Sequence, residues 1–259
     1  MLEALWKMIV LAAVQGLAEF LPISSSGHLV LLGQWLDLSE DTATVNILLH
    51  AGTLASILVV FWQRILRLLT SDRNVIPMLI VASIPAGIAG VVIKKRFEYL
   101  IESPWIAAPM LLVTAALLLL LPRLPAGSYR YGDFPWWRAF VVGCFQAVAI
   151  LPGISRSGAT IVGGRLLGLQ RDDAVTFSFL MAIPVIAGAT LLEAKDLLTE
   201  PLAQERWVPL LVGTVISFLI GIVALHWLIR WSRLDRLHWF VYWLIPFSLA
   251  SMVALAFSR

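Results

Sequence analysis

Between Ile106 and Leu121, and again between Leu210 and Ile229, the chain carries no Asp, Glu, Lys or Arg. Stretches of this kind match the roughly 20 apolar residues that span a bilayer's hydrocarbon core, where every backbone N–H and C=O must be satisfied within the protein. The runs are continuous rather than alternating, which predicts helices and not barrel strands. Composition agrees: the chain is 60% hydrophobic and 14% charged, against about half and a quarter in a soluble domain. Segments long enough to span lie at about 43–62, 75–93, 105–121, 174–195, 207–228 and 238–257, so six transmembrane helices are expected. The net charge of +3 comes mostly from loop arginines, an ordinary topology bias that gives no reason to expect nucleic acid as a partner. The single cysteine, Cys144, excludes an internal disulfide, and the opening residues MLEALWK lack the basic start of a cleavable signal.

Two further segments, 3–36 and 139–168, are apolar but interrupted. The first holds QGLAEFLPISSSGHLVLLG from Gln15 to Gly33, the second QAVAILPGISRSGATIVGG from Gln146 to Gly164. At the constant offset of 131 that takes Gln15 to Gln146, Ser24 meets Ser155, Ser26 meets Ser157 and Gly27 meets Gly158. Each arm is short for a full crossing, so both segments are expected to be re-entrant helical hairpins with their tips inside the membrane. One hairpin plus three spans makes a half: residues 1–121 the first, 139–259 the second, within one integral membrane domain of 1–259. Three is odd, so the second half enters from the opposite side. The expected fold is therefore all-α and polytopic, an inverted-topology repeat whose tips meet near the midplane. The loops at 63–74, 122–138, 169–173 and 229–237 carry more Arg than the opposite set, which has acidic Asp37, Glu40 and Asp41. This places the first set in the cytoplasm, with Lys94-Lys95-Arg96 running against the trend.

The breaks hold the chemistry. Glu19 lies in an apolar run and needs a partner or a wet cavity. Gln15 is four residues earlier, on the same helical face. Together they supply hard oxygen ligands for Mg²⁺ or Ca²⁺; equally, Glu19 can pair with Arg156 and simply hold the hairpins together. Ser24, Ser25, Ser26, Gly27 and His28 place three hydroxyls, a flexible glycine and an imidazole at a helix start, where anions are favoured. Ser25 or His28 can serve as nucleophile, although serines also cap helices and histidines also pack. Arg156, among Ser155, Ser157, Gly158 and Thr160, offers a fork that fits phosphate oxygens. The residues thus describe an intramembrane pocket for a phosphorylated group, with an attached lipid suggested by its setting. His50, His226 and His238 are not expected to take part in the chemistry, and the first two, in span-like runs, are expected to pack. A transporter or flippase for a lipid phosphate or anion is the alternative, since paired broken helices are also a transporter signature.

The motifs Gln15-x-x-x-Glu19, Ser24-Ser25-x-Gly27-His28 and Pro152-Gly153-x-Ser155-Arg156-Ser157-x-x-Thr160, with the spacing of spans and loops, resemble those of the undecaprenyl-diphosphate phosphatases, the bacterial bacitracin-resistance family. The resemblance implies hydrolysis of undecaprenyl diphosphate to the monophosphate carrier of peptidoglycan synthesis. It also implies a divalent cation (Mg²⁺ or Ca²⁺) held near Glu19 and Gln15. The setting would be the bacterial inner membrane, with the active site opening to the periplasmic face. Glu19, Ser25, His28 and Arg156 would be catalytic; Ser24, Ser26, Gly27, Ser155, Ser157, Gly158 and Thr160 would bind substrate. Expected partners are the lipid substrate and membrane lipids, and a homodimer is compatible with the reading.

Overall fold

The structure is a computed structural model that describes residues 2–35, 42–199 and 207–257. Leu36, with which the first hairpin was expected to end, and the acidic Asp37, Glu40 and Asp41 lie outside the described residues. The helices are α1 (Leu2–Ala18), α2 (Ser25–Trp35), α3 (Thr42–Val60), α4 (Trp62–Leu68), α5 (Val75–Arg96), α6 (Glu98–Ile101), α7 (Pro104–Leu120), α8 (Trp136–Val148), α9 (Arg156–Leu166), α10 (Arg171–Thr199), α11 (Trp207–Arg233) and α12 (Val241–Phe257). Single turns of 3₁₀ helix occupy Leu121–Arg123, Tyr131–Asp133 and Leu237–Phe240. Among the described residues the chain is otherwise irregular, apart from an isolated parallel bridge between Tyr129 and Leu169.

Five of these helical stretches are long and apolar enough to cross a membrane: Val75–Arg96, Pro104–Arg123, Arg171–Leu192, Trp207–Arg233 and Leu237–Phe257. A sixth is obtained if α3 and α4, bent by 75° at Phe61, count as one. Their outer faces are those of a protein solvated by lipid. On α5, Ile80, Ile84 and Ile88 form an exposed stripe at helical spacing, and Val215, Leu219 and Val223 do the same on α11; stripes this apolar are unusual against water. Trp62, Trp105, Trp136 and Trp207 stand exposed at helix ends, where aromatic belts form.

Inside, small and hydroxyl residues let the helices approach. Gly52 on α3 faces the Thr214 carbonyl of α11, and Gly143 on α8 faces the Ala82 carbonyl of α5. The Ser217 hydroxyl donates to the Leu49 carbonyl at 2.9 Å, and the Ser248 hydroxyl to the Ala108 carbonyl at 2.6 Å. With lipid outside there is little hydrophobic gain in bringing helices together, so close packing and such hydrogen bonds carry the association.

The packing exchanges elements between the halves. Helix α1 packs on α11 and α8 packs on α5, while α3 meets α10 and α7 meets α12. Swapping the halves maps the first pair of contacts onto each other and the last two onto themselves. At one end, four loops are tied together. The Tyr131 hydroxyl donates to Asp72 at 2.5 Å and its backbone N–H to Asp173 at 3.0 Å; Arg171 pairs with Asp235 at 2.6 Å and Arg233 with Asp172 at 3.0 Å. These are the loops grouped on one side by the reading of the sequence. Their carboxylate Asp72 is held below its ordinary pKa chiefly by the hydrogen bond from Tyr131.

Candidate active site

Two helix breaks make the site. After Ala18 the chain turns, Pro22 cannot extend the hydrogen-bond ladder, and Ser24 adopts φ +70° before α2 begins. After Val148 the second turn passes through Gly153 at φ +93°, a left-handed conformation that glycine adopts without steric penalty. The restarts are capped alike: Ser24 Oγ accepts from the Gly27 N–H at 3.3 Å, and Ser155 Oγ from the Gly158 N–H at 3.1 Å. The hydroxyl pairs match too, Ser24–Ser26 at 3.4 Å and Ser155–Ser157 at 3.1 Å.

The tips rest on each other. A Cβ on Gly27 would meet the Gly153 backbone at 2.7 Å, and one on Gly158 would meet Pro22 Cβ at 3.3 Å. These two contacts are the same contact with the halves exchanged. Ser24 Oγ also accepts from the Gly153 N–H at 3.1 Å. Thr114 on α7 braces the second tip, donating to the Gly153 carbonyl at 2.7 Å and accepting from the Ser155 N–H at 2.9 Å.

Across this junction lies Glu19, 8% exposed. Arg156 Nη2 donates to its Oε1 at 2.7 Å; Ser25 Oγ donates to Oε2 at 2.6 Å, and Gln15 Nε2 to Oε2 at 3.2 Å. The short Ser25 contact has the length of a charge-assisted hydrogen bond. A buried carboxylate is tolerated only with this kind of compensation. The Arg156 guanidinium also lies over the Phe179 ring at 5.7 Å, and its Nη1 is buried without a partner among the described residues. Glu19, Ser25 and Arg156 open on a cavity of about 200 Å³. Ser24, Ser26 and Ser155 join its polar lining; Ala86, Ile150, Val185, Ile186 and Ala189 make an apolar wall.

The other residues singled out in the sequence take different places. His28 does not line this cavity. Its Nδ1 bonds the Ser24 carbonyl at 2.8 Å, its Nε2 accepts from the Trp243 indole N–H at 3.0 Å, and its ring stacks on Phe247 at 4.4 Å. Both nitrogens are thus committed, and Glu19 rather than His28 receives the Ser25 hydroxyl. Gly27, Ser157 and Gly158 lie in the contact between tips, and the Thr160 hydroxyl bonds the Arg156 carbonyl at 2.8 Å and Ser178 at 2.5 Å. These four shape the tips without lining the cavity. Gln15 stands behind Glu19, with Oε1 buried and without a partner among the described residues.

His50, expected only to pack, does line the cavity. Its Nδ1 bonds the Asn46 carbonyl at 2.7 Å, which leaves Nε2 facing Glu19 Oε2 at 3.8 Å. Local sequence offers no signal for this: exposed His226 makes the same bond to the Ile222 carbonyl at 2.8 Å. What distinguishes the two is only where α3 and α11 lie.

No three His, Cys, Asp or Glu side chains among the described residues gather as a metal cage. The donor set instead offers one carboxylate, Glu19, with the unpartnered Gln15 Oε1 nearby. That set suits a hard cation taking its remaining ligands from phosphate and water.

Comparison with known proteins agrees with the motifs. The family model described as Bacitracin resistance protein BacA matches residues 8–250. An undecaprenyl-diphosphatase of Rhodopirellula baltica is 56% identical over 246 residues, covering 95% of this chain and 96% of that protein. Those of Halothermothrix orenii and Alkaliphilus metalliredigens are 39% and 40% identical, each over 92% of this chain. With motifs, spans and whole-length similarity in agreement, this chain belongs to the bacitracin resistance protein BacA family.

Proposed function

We propose that the chain hydrolyses undecaprenyl diphosphate to undecaprenyl phosphate and inorganic phosphate, as the names of its relatives state for them. The observation that carries this reading is the hydroxyl of Ser25 held 2.6 Å from Glu19 Oε2 while Arg156 grips the other carboxylate oxygen at 2.7 Å. A nucleophile, its base and a guanidinium thereby face one cavity whose opposite wall is apolar. In the proposed reaction Ser25 Oγ attacks the terminal phosphorus and its proton passes to Glu19. The bridging P–O bond breaks and the lipid monophosphate leaves; water then cleaves the phosphoserine, releasing phosphate. Arg156 stabilises charge on the transferring group, the term that dominates phosphoryl transfer. His28 acts by position: it ties the carbonyl of Ser24, next to the nucleophile, to α12 through Trp243. When bound, a divalent cation held by Glu19 and Gln15 would neutralise diphosphate charge.

The same reading takes the chain as an inverted repeat of six spans and two re-entrant hairpins in the bacterial inner membrane. The exchanged contacts Gly27–Gly153 and Pro22–Gly158 support the inversion. The Arg-rich loops tied together at one end support a cytoplasmic placement of that end and a site opening to the other, periplasmic side.

Phosphate release from the purified chain given undecaprenyl diphosphate, with and without chelator, tests the reading. Turnover that chelator suppresses is expected, and no release in either condition would overturn it. Trapping separates the nucleophiles: a phosphoenzyme that persists in Ser25→Ala would exclude the serine route.

A further inference from the structure

The two hairpins place a glutamine at the same point, and the structure uses the two differently. Gln15 gives its amide to Glu19, four residues on. Gln146 has Ile150 at that position, so no carboxylate receives it. Gln146 is 1% exposed, lines the cavity, and has no hydrogen-bond partner for either Nε2 or Oε1 among the described residues. Burying an amide without partners is costly, and a native structure tolerates it where a ligand or water completes the bonds. Arg156 lines the same cavity, and its buried Nη1 is the second donor without a partner among the described residues.

The position of Gln146 identifies the ligand group. It stands on the face of α8 that continues into Ala149 and Ile150. Helix α5 packs along α8 with Gly143 at Ala82 and Ile150 at Gly90, which sets Gln146 opposite Ala86 at the cavity's apolar wall. Ser25 and Glu19 come from the other hairpin. With the terminal phosphorus of a lipid diphosphate at Ser25, the phosphate bonded to the isoprenoid would share the cavity that Gln146 lines.

We propose that Gln146 holds the phosphate that stays on the lipid, donating from Nε2 to one of its oxygens beside Arg156 Nη1, and so selects diphosphate over monophosphate. The proposal rests on the phosphatase reading. Its test uses the full chain in detergent, a non-hydrolysable prenyl methylenediphosphonate, and inorganic phosphate, which mimics only the terminal group. Gln146→Met keeps length and removes both polar atoms. The expected result is an inhibition constant for the diphosphonate raised about tenfold to a hundredfold, the range for a hydrogen bond to a charged group. The constant for inorganic phosphate stays unchanged, and the ligand-free thermal midpoint holds or rises because an unsatisfied buried amide is gone. Gln146→Glu should weaken the diphosphonate further by placing a carboxylate against it. Unchanged diphosphonate binding in Gln146→Met, or equal weakening of both ligands, would overturn the assignment. A fall in the thermal midpoint of Gln146→Met would show Gln146 to be a packing residue. If the unmodified chain neither binds the diphosphonate nor releases phosphate, the phosphatase reading itself fails.

Discussion

The two hairpins divide the chemistry, and they share their helix order and serine caps but not the turn between the helices: Ser24 has φ +70° where its equivalent Ser155 has φ −69°. Both break at a proline, Pro22 or Pro152, both restart under a serine cap, and their hydroxyl pairs differ by only 0.3 Å, 3.4 against 3.1 Å. Yet Glu19, Ser25 and His28 of the first correspond to Ile150, Arg156 and Ala159 of the second. A symmetric pair of tips with Glu19 in both would set two carboxylates on one cavity, since Ile150 lines it with Glu19, and like charges at close range in a membrane are costly. The second tip has Ile150 at that position and carries its guanidinium at the position of Ser25, so that Arg156 pairs with Glu19 at 2.7 Å. The pairing also leaves Arg156 Nη1 without a partner among the described residues.

The sharpest way to break this division is to remove the first hairpin's pair. Glu19→Gln or Ser25→Ala should lower turnover on the order of 10³-fold, read as phosphate release at saturating lipid; a Glu19→Gln variant within tenfold of the unmodified chain would remove Glu19 as the base. Arg156→Lys keeps the charge of the second tip and loses its fork. A fall of about 10²-fold is expected, and full activity would mean that charge alone suffices.

Making the hairpins alike should also fail. Ile150→Glu copies the Gln15–Glu19 arrangement onto Gln146 and sets a carboxylate against the diphosphate. KM is expected to rise about tenfold to a hundredfold, and an unchanged KM would detach Ile150 from the lipid phosphate. His28→Asn tests positioning against proton transfer. The loss in kcat should reach at most about 10²-fold with the pH–rate profile keeping its shape; a vanished limb of that profile would restore His28 as a base.

The smallest effect compares the two equivalent glycines. Gly27→Ala drives a methyl group toward Gly153 backbone at 2.7 Å, whereas the Gly158→Ala methyl meets Pro22 Cβ at 3.3 Å. Overpacking should cost the first about 1–3 kcal/mol and the second less, measured as thermal midpoints in detergent. The reverse order would contradict the tip contact.

Much of this was legible in the residues. Uncharged runs place the spans because a bilayer constrains length and polarity so tightly, and the offset of 131 exposes the paired breaks. Glu19 and Arg156 stand out because an ionised group in an apolar run must find a partner. The run from Ser24 to His28 also offered His28, beside Ser25, as a candidate nucleophile, and its ring makes other contacts. Three residues along a helix is proximity in sequence, but the ring turns to Trp243 and Phe247 on α12, more than 200 positions away.

From the sequence alone came the class of the protein, the duplicated breaks and the pairing of an acid with a guanidinium, all dictated by the cost of polar groups in hydrocarbon. Only the tertiary structure decided which side chains share the cavity. It turned His28 out, brought His50 to 3.8 Å from Glu19, and left the amide of Gln146 open where that of Gln15 is used. Those outcomes depend on which helix faces packed against the tips, and contacts between residues far apart in the chain leave no local pattern to read.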